Sequence, residues 1–233
     1  MPRILFALAL AAIGLQNLLT VGFLPELQPV PTWLPGQPFW ACAVGLLLVG
    51  AGACVMAGRA IRQAAGALAC LLFGTVLLLH VPRLIADPGD GGAWTGAFEI
   101  LALGGGAWFL TGTPSGERAG RLCFAASLPA FGVLHFIYID YVAYVIPSWI
   151  PAHLFWGYFT GVAHIAAGTS ILTGVKARLA ATLLAVMFGS WVLLLHIPRA
   201  AAALGKRPEW TSLFVAMAMC GASWLIARRL ARR

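Results

Sequence analysis

The stretch 77–83, Leu-Leu-Leu-His-Val-Pro-Arg, recurs at 193–199 as Leu-Leu-Leu-His-Ile-Pro-Arg. The offset between the two copies, 196 − 80 = 116, continues without insertion along both halves of the chain. It aligns the loop 31–35, Pro-Thr-Trp-Leu-Pro, with the loop 147–151, Pro-Ser-Trp-Ile-Pro. Self-similarity at a fixed period is the signature of an internal repeat. The sequence therefore predicts two copies of one structural unit.

The composition assigns the chain to the membrane proteins. Of its 233 residues, 61% are hydrophobic and 9% are charged, and the mean hydropathy is +0.90. Soluble domains average about 45–50% apolar and about 25% charged residues. So few charges cannot cover the surface of a soluble fold, and the sequence has no basic stripe that would fit a nucleic acid. The expected surroundings are a lipid bilayer.

Long apolar segments predict an all-α integral membrane protein with eight transmembrane helices. A spanning helix needs roughly 20 mainly apolar residues, and lipid leaves no alternative to internally bonded backbone. The segments are too long and too continuously apolar for the strands of an outer-membrane barrel. The predicted spans are 4–24, 39–57, 63–83, 95–112, 121–139, 154–173, 178–199 and 211–227.

The repeat divides these spans into two units of four, at 1–113 and at 114–233, the second ending in a basic tail. Because four is even, both units enter the membrane from the same side, and we expect parallel repeats about a pseudo-two-fold axis along the membrane normal. The segment after Arg3 could also be a secretory signal. We favour a retained helix, since its apolar character continues to Leu24 and the second unit contains a counterpart.

Lysine and arginine set the expected orientation. With the N-terminus in the cytoplasm, 11 of the 15 basic residues fall on the inner side and four on the outer side. The positive-inside rule favours this arrangement. We therefore predict a multi-pass protein of a bacterial-type inner membrane, with both termini cytoplasmic.

Polar residues gather at the predicted outer ends of the spans. Ionisable groups inside a bilayer are costly and are functional candidates. We expect them to line one outward-facing cavity, roofed by the two Trp-containing loops. The candidate ligand-binding residues are His80, Arg83, Glu99, His135, Asp140, His164, His196, Arg199, Trp33 and Trp149. No catalytic residue is assigned.

Purely structural interpretations of the same residues remain open. His-Pro-Arg at a helix end is also an interfacial stop signal, in which the arginine reaches for the headgroups and proline ends the helix. Trp33 and Trp149 also suit an aromatic belt at the membrane surface. The halves differ, because Leu19 and Leu48 stand 116 residues before His135 and His164. The second unit thus holds most of the polar chemistry.

Metal, haem and thiol chemistry are disfavoured. His80 and His196 are the candidate haem ligands, but they lie at the extreme outer ends of their spans. No Cys/His cluster has metal-ligand spacing, so no metal site is predicted. The five cysteines are scattered without a Cys-x-x-Cys pair, which thiol–disulfide exchange would need.

The second unit resembles the DoxX-like family of four-helix membrane proteins. The resemblance is carried by His135-Phe136, by the Pro-Ser-Trp-Ile-Pro loop at 147–151 and by Gly161-Val162-Ala163-His164. The first unit matches more weakly, with Leu19 in place of the histidine. The family often has Glu where this chain has His164, which puts any transferred role for that position in doubt.

The resemblance implies either a quinone-linked redox subunit or an accessory protein. The leading hypothesis is a redox-linked subunit that binds a quinone or similar small hydrophobic molecule in the outward cavity, with another membrane or periplasmic redox subunit as partner. Histidine suits proton relay there because its unperturbed pKa lies near 6.5. The alternative is a non-catalytic scaffold or assembly factor for a partner membrane protein. A transporter is less favoured, because the inner halves of the spans offer no ionisable residue for a continuous path.

Overall fold

A computed structural model describes residues 1–231, which form helices joined by turns and contain no strand. The helices are α1 (Pro2–Thr20), α2 (Gln37–Ala57), α3 (Ile61–Thr75), α4 (Val81–Ala86), α5 (Gly91–Leu110), α6 (Pro114–Ile137), α7 (Ile139–Val145), α8 (His153–Thr173), α9 (Ala177–Trp191), α10 (Ile197–Ala202) and α11 (Arg207–Leu230). The all-helical prediction is confirmed for these residues.

Six helical segments are long and apolar enough to cross a membrane. They are α1, α2, α3 through α4, α6, α9 through α10, and α11. In α11, 67% of the apolar window is buried, against 22–39% in the other five segments. Large apolar side chains such as Leu46, Leu77 and Leu183 are exposed on the outer surface. An apolar outside of this kind indicates a lipid bilayer environment.

Two π-helical turns join α3 to α4 and α9 to α10, at Val76–His80 and Val192–His196. In each turn a backbone N–H bonds to the carbonyl five residues earlier, from Val81 to Val76 and from Ile197 to Val192. Proline follows at once in both places and has no N–H to continue the ordinary ladder. The helices therefore do not end at His80 and His196, as the sequence suggested, but continue for six residues.

Element bounds recur at the sequence offset. Adding 116 to the bounds of α2, α3 and α4 gives those of α8, α9 and α10, and the π turns coincide in the same way. α2 and α8 both end at a glycine in the left-handed region, Gly58 with φ 74° and Gly174 with φ 84°. Glycine adopts this conformation without the steric penalty of a Cβ.

The long helices contact one another in a closed circuit: α1, α2, α3, α5, α6, α8, α9, α11 and back to α1. α5 and α11 also touch across it. Small residues allow these approaches, because a Cβ on Gly120 of α6 would lie 2.5 Å from the carbonyl oxygen of Gly105 on α5. A Cβ on Gly221 of α11 would lie 2.7 Å from the backbone nitrogen of Phe6 on α1.

Two polar residues lie at the starts of helices. Asp140 lies in the first turn of α7, which follows α6 after a break at Tyr138. His153 is the first residue of α8, and its Nε2 donates to the Pro147 carbonyl at 3.2 Å.

Candidate functional site

His135 on α6 and His164 on α8 meet inside the second half of the chain. Their ring centroids lie 5.0 Å apart, with an angle of 51° between the ring planes. The approach depends on Gly161, where a Cβ would lie 3.1 Å from the Cβ of His135 and 2.6 Å from the ring of Phe136. Without a side chain at 161, α8 comes close enough to α6 for the imidazoles to touch.

Backbone carbonyls fix the protonation pattern of both rings. The Nδ1 of His135 lies 2.8 Å from the Phe131 carbonyl oxygen, and the Nδ1 of His164 lies 2.9 Å from that of Thr160. A carbonyl oxygen can only accept, so each Nδ1 carries the hydrogen. In the neutral ring Nε2 is then an acceptor, and neither Nε2 has a hydrogen-bond partner within residues 1–231.

Three aromatic side chains complete this cluster. Phe131, Phe188 and Trp191 lie with ring centroids 5.8, 5.7 and 5.5 Å from that of His164. Trp191 also stacks on His135 at 6.1 Å, with an angle of 19° between the ring planes. His164 is 1% exposed, whereas His135 is only partly buried. A ligand would therefore reach this histidine–aromatic cluster from the His135 side.

The first half has an aliphatic version of this cluster. The residues 116 positions earlier are Leu15, Leu19, Leu48, Leu72 and Thr75. A cavity of about 10 Å³, lined in part by Leu48, Leu72 and Thr75, lies there. Such a volume holds about one water molecule. The corresponding positions of the first half therefore carry neither an imidazole nor an indole.

The sequence could have identified the cluster only in part. Its two histidines were predicted as site residues, but Phe131, Phe188 and Trp191 were not. Aromatic residues are common throughout this chain, so their type alone carries little information. The signal was the offset, since Trp191 stands where the first half has Thr75.

His80 lies in the first half, against the turn that follows α1. It is 1% exposed, and its Nε2 donates to the Leu27 carbonyl at 3.0 Å. Its Nδ1 is buried without a hydrogen-bond partner in the described chain. A Cβ on Gly96 of α5 would lie 3.2 Å from its ring. His80 therefore links the π turn to the segment that follows α1.

His196, the counterpart of His80, is less buried and lacks the backbone contact. Its Nδ1 is likewise buried and unpartnered in the part of the chain that the structure describes. The residue that corresponds to Leu27 is Ala143, on α7. The repeated histidine thus has different surroundings in the two halves.

Arg83 and Arg199 each pair with a carboxylate near the start of the next long helix. Arg83 binds Asp90 at 2.7 Å, and Arg199 binds both oxygens of Glu209, at 2.8 and 2.9 Å. Arg199 also donates to the Val145 carbonyl at 3.3 Å. The hydrogen bond from Arg83 lowers the pKa of the Asp90 carboxyl below its ordinary 3.8. Asp90 and Glu209 thus neutralise the two arginine charges that the sequence analysis assigned to ligand binding.

The remaining predicted residues are dispersed. Glu99 on α5 is partly buried and lies close enough to Glu26 for the two carboxyl groups to interact electrostatically. Asp140 is exposed. Trp33 and Trp149 have 78% and 65% of their surface exposed. Two of the ten predicted residues, His135 and His164, thus form a close ring pair.

Two further polar contacts were not anticipated. Asn17 is fully buried and donates to the Gln28 side chain at 2.8 Å, and that same oxygen accepts the Leu24 N–H at 3.2 Å. At the other end of the molecule, buried Glu117 pairs with Arg229 at 2.5 Å. Asn17 and Glu117 lie within long apolar segments or at their ends, where sequence spacing does not reveal a partner. Across residues 1–231, no group of three His, Cys, Asp or Glu residues is placed to hold a metal ion.

Comparison with families of known proteins gives a match over part of the chain. A family model described as a domain of unknown function (DUF8561) matches residues 124–227. The matched stretch runs from the middle of α6 to the last turn of α11 and includes every residue of the histidine–aromatic cluster. No curated protein and no solved structure matches the chain.

Proposed function

We propose that this protein is a DoxX-like, redox-linked membrane subunit that binds a quinone, in its reduced quinol form, at the histidine–aromatic cluster. The observation that supports this proposal is the contact of His135 with His164, with both Nδ1 atoms bonded to backbone and both Nε2 atoms unpartnered among residues 1–231. Two acceptors at the edge of an aromatic surface suit a flat ring that carries hydroxyl groups.

The tautomer selects the redox form of the ligand. A neutral imidazole with its hydrogen on Nδ1 offers only a lone pair at Nε2, so it accepts from a phenolic O–H and cannot donate to a quinone carbonyl. His135, the more accessible ring, would accept this hydrogen bond and hold the proton when the quinol is oxidised. His164 lies behind it as the next acceptor, and Trp191 provides a stacking face.

The membrane arrangement is part of the proposal. We place eight spans in the bilayer, adding α5 and α8, which are 20 and 21 residues long, to the six apolar segments. The two units of four are parallel repeats about a pseudo-two-fold axis along the membrane normal. Support comes from the element bounds that recur at 116 residues and from the closed circuit of helix contacts.

The distribution of charge supports a location in a bacterial-type inner membrane, with both termini cytoplasmic. In that orientation the histidine–aromatic cluster lies toward the outer leaflet, near the C-terminal end of α6. Another membrane or periplasmic redox subunit would then exchange electrons with the quinol from that side.

Binding of a short-chain quinol and of the matching quinone to the purified full chain tests the proposal. Binding is followed through tryptophan fluorescence, which Trp191 at the cluster makes sensitive. We expect the quinol to bind at least tenfold more tightly than the quinone. His135→Leu, which introduces the first-half residue at this position, should reduce quinol affinity at least tenfold, since one acceptor is lost.

The matched control is His153→Leu, which removes another outer-side histidine that does not belong to the cluster. It should leave quinol affinity unchanged. Equal binding by wild type and His135→Leu would contradict the proposal. A stoichiometric partner protein that co-purifies while lipid extracts contain no quinone would favour the scaffold alternative instead.

A further inference from the structure

A cleft of about 250 Å³ opens between the start of α6 and the end of α11. Its lining includes three arginines, Arg118, Arg121 and Arg229, together with Glu117 and the apolar side chains of Phe109 and Leu230. Along α6, Arg118 and His135 are separated by about 25 Å at 1.5 Å per residue, so the two sites are independent.

The charges of the cleft are unbalanced. Arg118 and Arg121 are three residues apart and share one face of α6. Glu117 is bound to Arg229. Neither Arg118 nor Arg121 has a carboxylate partner within residues 1–231, and Arg121 contacts only the Ile171 carbonyl, at 3.4 Å. Two guanidinium groups thus remain available to an anion.

The cleft has no counterpart in the other half. The residues 116 positions before Arg118, Arg121 and Arg229 are Pro2, Leu5 and Thr113. If the arginines served only to hold a helix end at the membrane surface, we would expect them at the corresponding positions of both halves. They are present in the second half and absent from those positions in the first.

We propose that this cleft binds the phosphate group of an anionic ligand, with Arg118 and Arg121 as donors. Guanidinium groups match phosphate oxygens with paired hydrogen bonds. α6 begins and α11 ends here, and both are apolar enough to cross a membrane, so the cleft lies at the level of the lipid headgroups. Phe109 and Leu230 provide apolar contacts beside the phosphate. An anionic phospholipid and free phosphate share this chemistry.

Native mass spectrometry of the full chain in detergent tests the proposal, with phosphatidylglycerol and phosphatidylcholine as probes. We expect phosphatidylglycerol to bind preferentially. The double variant Arg118→Gln/Arg121→Gln should weaken its binding about thirtyfold, since each arginine near a membrane surface contributes about fivefold. The matched control, Arg59→Gln/Arg62→Gln, removes Arg59 from the α2–α3 connection and Arg62 from the first turn of α3, both outside the cleft lining, and should retain the binding.

Unchanged binding in the cleft variant, or equal loss in both variants, would overturn the proposal. Wild-type protein gives a second test that does not depend on variant folding. Its phosphatidylglycerol binding should fall as salt is raised, and a salt-independent affinity would also overturn the proposal. An excess of inorganic phosphate separates the two sources: displacement of the lipid assigns the cleft to free phosphate, and persistence of the lipid assigns it to the phospholipid headgroup.

Discussion

The two halves of the chain carry different side chains at positions that correspond by the 116-residue offset. In the second half, His135, His164 and Trp191 form a polar and aromatic cluster, whereas Leu19, Leu48 and Thr75 occupy the matching positions of the first half. Glycines at the helix contacts bring the helices close in both halves, Gly45 on α2 and Gly161 on α8. Helices with matching bounds thus carry polar and aromatic side chains in one half and mainly aliphatic ones in the other.

The halves also differ in the contacts of their repeated histidine and arginine. Both arginines form an ion pair, Arg83 with one oxygen of Asp90 and Arg199 with both oxygens of Glu209. In the first half, His80 and Asn17 add neutral contacts, to Leu27 and to Gln28. Equivalent histidines and arginines thus take part in different networks. Variants at the helix junctions, at the buried amide pair and at the two ion pairs test how the halves differ.

The largest effect is expected where the halves join. Gly120→Leu places a side chain against the backbone of α5, where a Cβ would already lie 2.5 Å from Gly105 and Phe109 atoms. Backbone cannot move aside cheaply, so we expect destabilisation above about 3 kcal/mol and loss of a homogeneous peak in size-exclusion chromatography. Gly221→Leu at the α11–α1 contact should cause a similar destabilisation if that contact is as tightly packed as the α5–α6 contact.

Gly66→Leu is the matched control for this prediction. Nothing lies within 4 Å of a Cβ at Gly66, which is also inside a helix. Leucine should be accepted there, since it is the better helix former. If Gly120→Leu and Gly66→Leu gave equally homogeneous protein, close packing of α5 on α6 would not be what joins the halves.

A smaller effect is expected from the buried amide pair of the first half. Gln28→Leu removes the acceptor of both the Asn17 side chain and the Leu24 N–H, which are buried. Leaving two donors unsatisfied should cost about 2–4 kcal/mol. The change appears as a lower thermal unfolding midpoint in detergent. Gln37→Leu, which loses one part-buried bond to the Pro31 carbonyl, is the control and should shift the midpoint less.

The smallest effects concern the two ion pairs. Arg199→Gln should cost about 1 kcal/mol, because it breaks a two-pronged pair and a carbonyl contact, and Arg83→Gln less than about 0.5 kcal/mol at its more exposed site. A larger loss of stability from Arg83→Gln than from Arg199→Gln would contradict this order. The midpoint of thermal unfolding measures both.

Acid distinguishes the Arg83 pair further. The pKa of Asp90 is lower in the folded protein, so its pairing stabilises the fold above pH 3.8, and this stabilisation is lost as the pH falls through the lowered value. The stability difference between wild type and Arg83→Gln should therefore be present at neutral pH and shrink as the pH falls below 3.8. A difference that persisted in acid would mean that Arg83 acts through another contact.

Much of the helical framework could be predicted from apolar length and the repeat. The bounds of α2 and α8 lie within two residues of the predicted spans. The π turns were not predicted, because a proline within a helical segment can end the helix, kink it or widen a turn, and the sequence does not distinguish these outcomes. For the same reason His80 was expected at a helix end, whereas it lies inside a continuing helix.

The sequence by itself determined the helical class, the apolar segments and the correspondence between positions, because these depend on local composition and on order along the chain. The tertiary structure decided which polar side chains meet. His135 and His164 are brought together by the missing side chain at Gly161, while Arg83 and Arg199 are drawn to Asp90 and Glu209. Such pairings depend on how closely helices approach and on which partner is nearest in space. The spacing of residues along the chain does not specify either of these.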